Sequence, residues 1–124
     1  MRIMKECNGW ILTDPDCYQY GKRLDDTTWW YIELREVGDF ENPFYWVYAT
    51  QIDLEFYTDD EITDYITGYY DDVEQIRKIY GDEANQIIAE CIFECLPAIE
   101  HAFVKEMKFE SDAVDFINKF IENN

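Results

Sequence analysis

The chain has 124 residues and a mass of 15.0 kDa, enough to bury one hydrophobic core without metal or disulfide staples. Hydrophobic residues make up 48% and aromatics 18%, which excludes a disordered acidic tail. Twenty-eight Asp and Glu against ten Lys and Arg give a net charge of -18 and a pI near 4.1, the wrong sign for gripping nucleic-acid phosphates or an anionic membrane surface.

Residues 1–27 give the weakest signals. Ile3, Trp10, Ile11 and Leu12 suggest one or two short strands, and Asn8-Gly9 and Asp14-Pro15-Asp16 read as turns. Thr28 to Glu36 alternates with period two: Trp30, Ile32 and Leu34 face one way, Trp29, Tyr31, Glu33 and Arg35 the other. A turn rich in Gly38, Asp39, Asn42 and Pro43 leads into a second strand from Phe44 to about Leu54. Both faces of that strand are apolar, so it is expected to be central and covered on both sides.

Helices are expected from Thr58 onward. Thr58-Asp59-Asp60-Glu61 is a capping box. Ile62, Tyr65, Ile66, Tyr69, Val73, Ile76 and Tyr80 follow with helical spacing, with Gly68 placed to kink or split the helix and Gly81 to stop it. The next helix spans about Asp82 to Leu96. Pro97 opens another, with Ile99, Ala102, Phe103 and Met107 inward. Ser111 is expected to cap a last helix whose inner face is Val114, Ile117, Phe120 and Ile121. The expected architecture is α+β: an N-terminal antiparallel β-hairpin or small sheet followed by about four α-helices. It forms a single domain over 1–124, mainly β over 1–57 and mainly α over 58–124.

Catalytic signatures are absent. There is one histidine, His101, and one serine, Ser111, and no GxGxxG, Walker A or HExxH motif. His101 is expected to be a half-exposed structural residue. The weakest alternative is a carboxylate enzyme using Mg²⁺, whose single Asp-x-Asp, Asp14-Pro15-Asp16, reads instead as a proline turn. Cys91 and Cys95 are spaced as two ligands on one helix face, but they fall in an apolar stripe with Ile88 and Ile92. They are expected to be buried, reduced and metal-free. No cofactor is expected. The N-terminal residues lead into no apolar run, and the cysteine usage suits a reducing compartment, so a cytoplasmic location is expected.

The charge is unevenly distributed. From Glu36 to Ile76, 41 residues carry twelve acids and no Lys or Arg. On a continuous helix with Ile62, Ile66, Tyr69 and Val73 inward, Asp60, Asp64 and Asp71 fall outward. Asp60 and Asp64 are then one turn apart, about 5–6 Å between Cβ atoms. A single-sign field of this kind either keeps a protein soluble or meets a strongly positive partner. Trp29, Tyr31, Tyr45, Tyr57 and Tyr70 are unclaimed by the expected inner faces. They would serve either as interface anchors or as a second covered sheet face.

Small size, strong acidity, hairpin-then-helices order and the lack of a catalytic signature resemble the anti-defence proteins of phages and mobile elements: anti-CRISPR proteins and antirestriction DNA mimics. The resemblance is one of style, without a shared motif. It implies a non-enzymatic inhibitor whose acidic face occupies the basic groove of a nuclease, most of all a CRISPR effector, in the host cytoplasm if phage-encoded. Asp59, Asp60, Glu61, Asp64, Asp71 and Asp72 would stand in for phosphates, with Glu55 and Tyr57 at the rim, and the protein itself would not bind nucleic acid. The alternative is an immunity protein or antitoxin that neutralises a basic toxin.

Overall fold

The computed structural model describes residues 4–66, 68, 70–95 and 103–124. Six strands form one antiparallel sheet in the order of the chain: β1 (Glu6–Cys7), β2 (Trp10–Asp14), β3 (Gln19–Arg23), β4 (Thr28–Gly38), β5 (Pro43–Asp53) and β6 (Phe103–Met107). A 3-10 turn at Leu54–Phe56 follows β5. Then come α1 (Asp59–Ile66), α2 (Val73–Tyr80) and α3 (Ala84–Cys95), with α4 (Glu110–Asn123) after β6.

The hairpin β4–β5 is the spine. Its register runs unbroken from Thr28 opposite Asp53 to Gly38 opposite Pro43. The turn is fixed chemically. Gly38 has φ +88, and a Cβ there would meet the Asn42 carbonyl oxygen at 2.6 Å. The Asp39 carboxylate accepts the Glu41 amide at 3.0 Å and the Asn42 amide at 2.8 Å.

Period-two alternation sends β4 and β5 side chains to two separate cores. On one face Trp29, Tyr31, Tyr48 and Ile52 pack under α1, α2 and α3 through Ile62, Ile66, Val73, Ile76, Ile88, Ile92 and Phe93. On the other, Ile32, Leu34 and Val47 join Trp10 and Tyr20 beneath Ala113, Val114, Ile117 and Ile121 of α4. Each fully buried aliphatic side chain contributes about 1.5–3 kcal/mol, so a sheet covered on both faces draws stability from two layers.

Three expectations are corrected. The architecture is not a hairpin followed by four helices: a six-stranded sheet dominates, and β6 returns to it after three helices. Phe103 and Met107, spaced four apart, fit helix and strand periods equally. Pairing of Lys105 with Val47 and of Met107 with Tyr45 decides for strand. Of the two readings open for Trp29 and Tyr31, the covered sheet face is the one found: both are core residues under three helices. Ser111 does not cap α4. The helix starts at Glu110, and the flanking Phe109 makes no side-chain cap bond.

The third correction concerns α3. Its buried stripe is Ala84, Ile88, Ala89, Ile92 and Phe93, so Cys91 is half-buried and Cys95 exposed. Phe93 stacks on Tyr31 with centroids 5.3 Å apart, and this turns the helix away from the cysteine side. Tyr69, Leu96, Pro97, Ile99, His101 and Ala102 lie outside the described residues, as does the Phe103 side chain.

Candidate interaction surface

The part of the acidic run that leads into α1 begins where β5 ends. Asp53 closes the strand by accepting the Glu55 amide at 3.0 Å, which starts the 3-10 turn and leaves Glu55 and Phe56 exposed. Tyr57 turns inward instead, with its ring edge-on to Tyr65 at 5.9 Å against the first core. It is partly buried and supports the surface from its inner side.

The capping box forms. The Thr58 hydroxyl accepts the Glu61 amide at 3.2 Å, and the Glu61 carboxylate accepts the Thr58 amide at 3.2 Å. Ile62 and Ile66 are buried, which holds α1 to the sheet and leaves Asp59, Asp60 and Asp64 outward. The Cys95 thiol donates to the Tyr65 carbonyl at 3.3 Å and ties α1 to α3.

The split that Gly68 is placed to make occurs, so the helical spacing that set Asp71 outward with Asp60 and Asp64 is interrupted. α1 ends at Ile66 and α2 starts at Val73. Gly68 has φ +110, a left-handed conformation that stops a helix. Asp72 caps α2, accepting the Gln75 amide at 2.8 Å while the Gln75 side chain accepts the Asp71 amide at 2.7 Å. Asp71 thus belongs to a connection, and helical spacing no longer relates it to Asp60 and Asp64.

The eight expected contact residues therefore separate by duty. Glu61 and Asp72 are committed to caps. Asp59 reaches Arg77 of α2 at 3.5 Å, both groups largely exposed. Tyr57 is packed. Glu55, Asp60, Asp64 and Asp71 are exposed, and their carboxylates have no hydrogen bond or ion pair to the described residues. The break also moves Glu74 into a first turn, where the helix dipole favours it. Part of the acidity thus has local structural work, which a continuous helix had concealed.

A second acidic group was not anticipated. Glu90 and Glu94 lie one turn apart on α3, and Glu94 is near enough to Glu33 of β4, Asp14 of β2 and the Arg35 cation to feel their charges. Burial pushes the Glu90 carboxyl above its ordinary range, and repulsion from Glu94 adds to it. Burial likewise raises Glu94, with Glu33 and Asp14 adding and Arg35 opposing. The i,i+4 spacing of Glu90 and Glu94 was the available signal, but only the fold brings β2 and β4 near Glu94.

The described residues contain no group of three or more His, Cys, Asp or Glu arranged to hold a metal ion. None of their helices is long and apolar enough to cross a membrane. Comparison with protein-family models, with curated proteins and with solved structures finds no match to this chain.

Proposed function

We propose that the chain is a non-enzymatic inhibitor that binds a basic, nucleic-acid-processing defence nuclease, most of all a CRISPR effector, through an acidic surface on α1 and its flanks. One observation carries the reading. The 41 residues without a positive charge fold so that Glu55, Asp60, Asp64 and Asp71 are exposed and unpaired among the described residues. Asp60 and Asp64 stand one turn apart on a helix anchored by Ile62 and Ile66. Fixed carboxylates at about 5–6 Å spacing suit arginines and lysines that otherwise hold successive phosphates. A rigid support spares the ordering cost that a flexible acidic tail would pay.

The exposed Phe56, beside Glu55, supplies an apolar anchor for the same surface. The test is a cleavage assay with candidate effectors and Asp60→Lys/Asp64→Lys. Inhibition is expected to weaken at least about tenfold, since two attractive contacts become repulsive. Full inhibition by the folded double variant removes α1 from the interface.

A further inference from the structure

The connection from α1 to α2 and the end of α2 close over α3 and leave a pocket between them. Tyr70, Tyr80, Ile87, Glu90, Cys91 and Glu94 line it, with a volume of about 330 Å³. Its walls are held from beneath. The Tyr70 amide donates to the Ile66 carbonyl at 3.1 Å, and Tyr70, Ile87 and Cys91 rest on the first core. Tyr80 ends α2, which Val73 and Ile76 fasten to the same core. The two tyrosine rings stand at 86° with centroids 6.1 Å apart, and their hydroxyls are hydrogen-bonded at 3.0 Å. They make an aromatic corner, and Glu90 and Glu94, one turn apart on α3, bring two carboxylates to the same pocket.

We infer that this pocket receives an arginine side chain of a protein partner, its guanidinium stacked on a tyrosine ring and hydrogen-bonded to Glu90 and Glu94. The lining carries two acidic groups and no basic one. Neither carboxylate forms an ion pair with the described residues. Glu90 has the uncharged Gln86 side chain as a hydrogen-bond partner, and Arg35, the cation that acts on Glu94, is engaged by Glu33. Burial holds both carboxyls above their ordinary range, so a cation that replaces the lost water stabilises their ionised form.

Two carboxylates alone would suit any cation. The aromatic corner and the apolar Ile87 and Cys91 narrow the choice. A guanidinium is flat and weakly hydrated, and it stacks on an aromatic face while its fork of donors reaches carboxylates. An ammonium holds its water more strongly and matches these walls less well. A second copy of this chain is a poor source of the arginine, because a net charge of -18 repels itself. Tyr70 directly precedes Asp71, so the pocket borders the acidic surface, and one basic partner can meet both. The inference rests on the inhibitor reading only in taking the partner to be basic. Its test uses no nuclease and none of the α1 carboxylates, so either reading can fail without the other.

Titration of isotope-labelled protein with N-acetyl-arginine amide, followed by amide NMR shifts in about 0.15 M salt, tests it. N-acetyl-lysine amide and the uncharged isostere N-acetyl-citrulline amide are run alongside. The arginine probe is expected to shift the Tyr70, Tyr80, Glu90 and Glu94 amides saturably, with millimolar affinity, the lysine probe to bind several-fold more weakly and the citrulline probe not to bind. Glu90→Gln/Glu94→Gln is expected to weaken arginine binding at least about tenfold. Tyr80→Leu, which keeps both charges, is expected to weaken it about two- to fivefold, the worth of one exposed cation–π contact. The amide spectra of the free variants show that each is folded. Absence of saturable arginine binding overturns the inference, as do shifts centred on Asp60 and Asp64 instead of the pocket. So does a lysine or citrulline probe that binds as well as arginine, or wild-type affinity in either variant.

Discussion

The Glu33 carboxylate and the Arg35 guanidinium meet at 2.5 Å on the face of β4 that also carries Tyr31. Glu33 is buried, and it also accepts from the Gln19 side-chain amide at 3.2 Å. Arg35 lies over the Tyr48 ring at 5.3 Å, so its charge is shared between a carboxylate and an aromatic face. In a chain so short of cations, this one is spent inside the fold.

Removing it should be costly. Arg35→Met leaves a buried carboxylate with weaker support and should destabilise by about 2–3 kcal/mol. That is below the roughly 3–5 kcal/mol of a fully buried pair, because Arg35 is partly exposed. Glu33→Gln in the same background should recover much of the loss, since the amide needs no countercharge. Urea unfolding of the wild type and the two variants measures this, and equal loss in the single and double variants would show that packing of Arg35, not its charge, matters.

The caps and the free carboxylates should separate in a stability scan. Thr58→Ala and Asp72→Ala each remove a side-chain bond to a helix-end amide and should cost about 1 kcal/mol. Asp60→Asn should be close to neutral, because the first-turn dipole offsets repulsion. Asp64→Asn, near the end of α1, should stabilise by about 0.3–0.5 kcal/mol as both dipole and i,i+4 repulsion are relieved. Thermal melts resolve these differences; a loss of 1 kcal/mol at Asp64 would reveal a structural partner.

Gly21 sits opposite Tyr31 in the β3–β4 ladder. A Cβ there would meet the Tyr31 ring at 2.7 Å, and that ring is fully buried and stacked on Phe93. The ring has nowhere to move, so Gly21→Ala should destabilise by about 1–3 kcal/mol through overpacking. A substitution without effect on the urea midpoint would mean that α3 yields to the ring.

The sequence made legible what depends on near neighbours. The β4 and β5 alternation, the Thr58–Glu61 box and the Gly81 stop each rest on contacts within a few residues. What failed depends on distant partners. β6 is a strand because Tyr45–Tyr48 is there to pair with it, some sixty residues earlier in the chain. The buried stripe of α3 follows Phe93 because Tyr31 lies beneath. The acidic surface was half legible. The missing cations are a fact of composition, but which carboxylates are committed to caps required the break between Ile66 and Val73.

Thiol reactivity should follow the turned α3. Cys95 is exposed, whereas burial pushes the Cys91 thiol up to about 11 and, with Glu33 and Asp14 adding, the Cys17 thiol up to about 12. Brief maleimide treatment of the folded protein near neutral pH should therefore label Cys95 well before Cys91 and Cys17. Peptide mass spectrometry reads the order, and preferential labelling of Cys91 would place the helix in the rotation that periodicity suggested.

Stability should rise on mild acidification, opposite to the usual acid response of a protein rich in paired carboxylates. Glu90 and Glu94 are both raised, chiefly by burial and then by neighbouring carboxylates. A raised group binds its proton more tightly folded than unfolded. Its contribution is therefore full below the unfolded-chain value, about 4.3 for glutamate, and is lost as pH rises through the higher folded value. Lowering pH from about 8 to about 4.5 crosses that window from above, so the urea midpoint should increase. Glu90→Gln/Glu94→Gln should raise the midpoint at the higher pH and flatten the dependence, because the amides are neutral throughout. A midpoint that falls over this interval, or a dependence that the double variant leaves unchanged, would place the responsible carboxylates elsewhere in the chain.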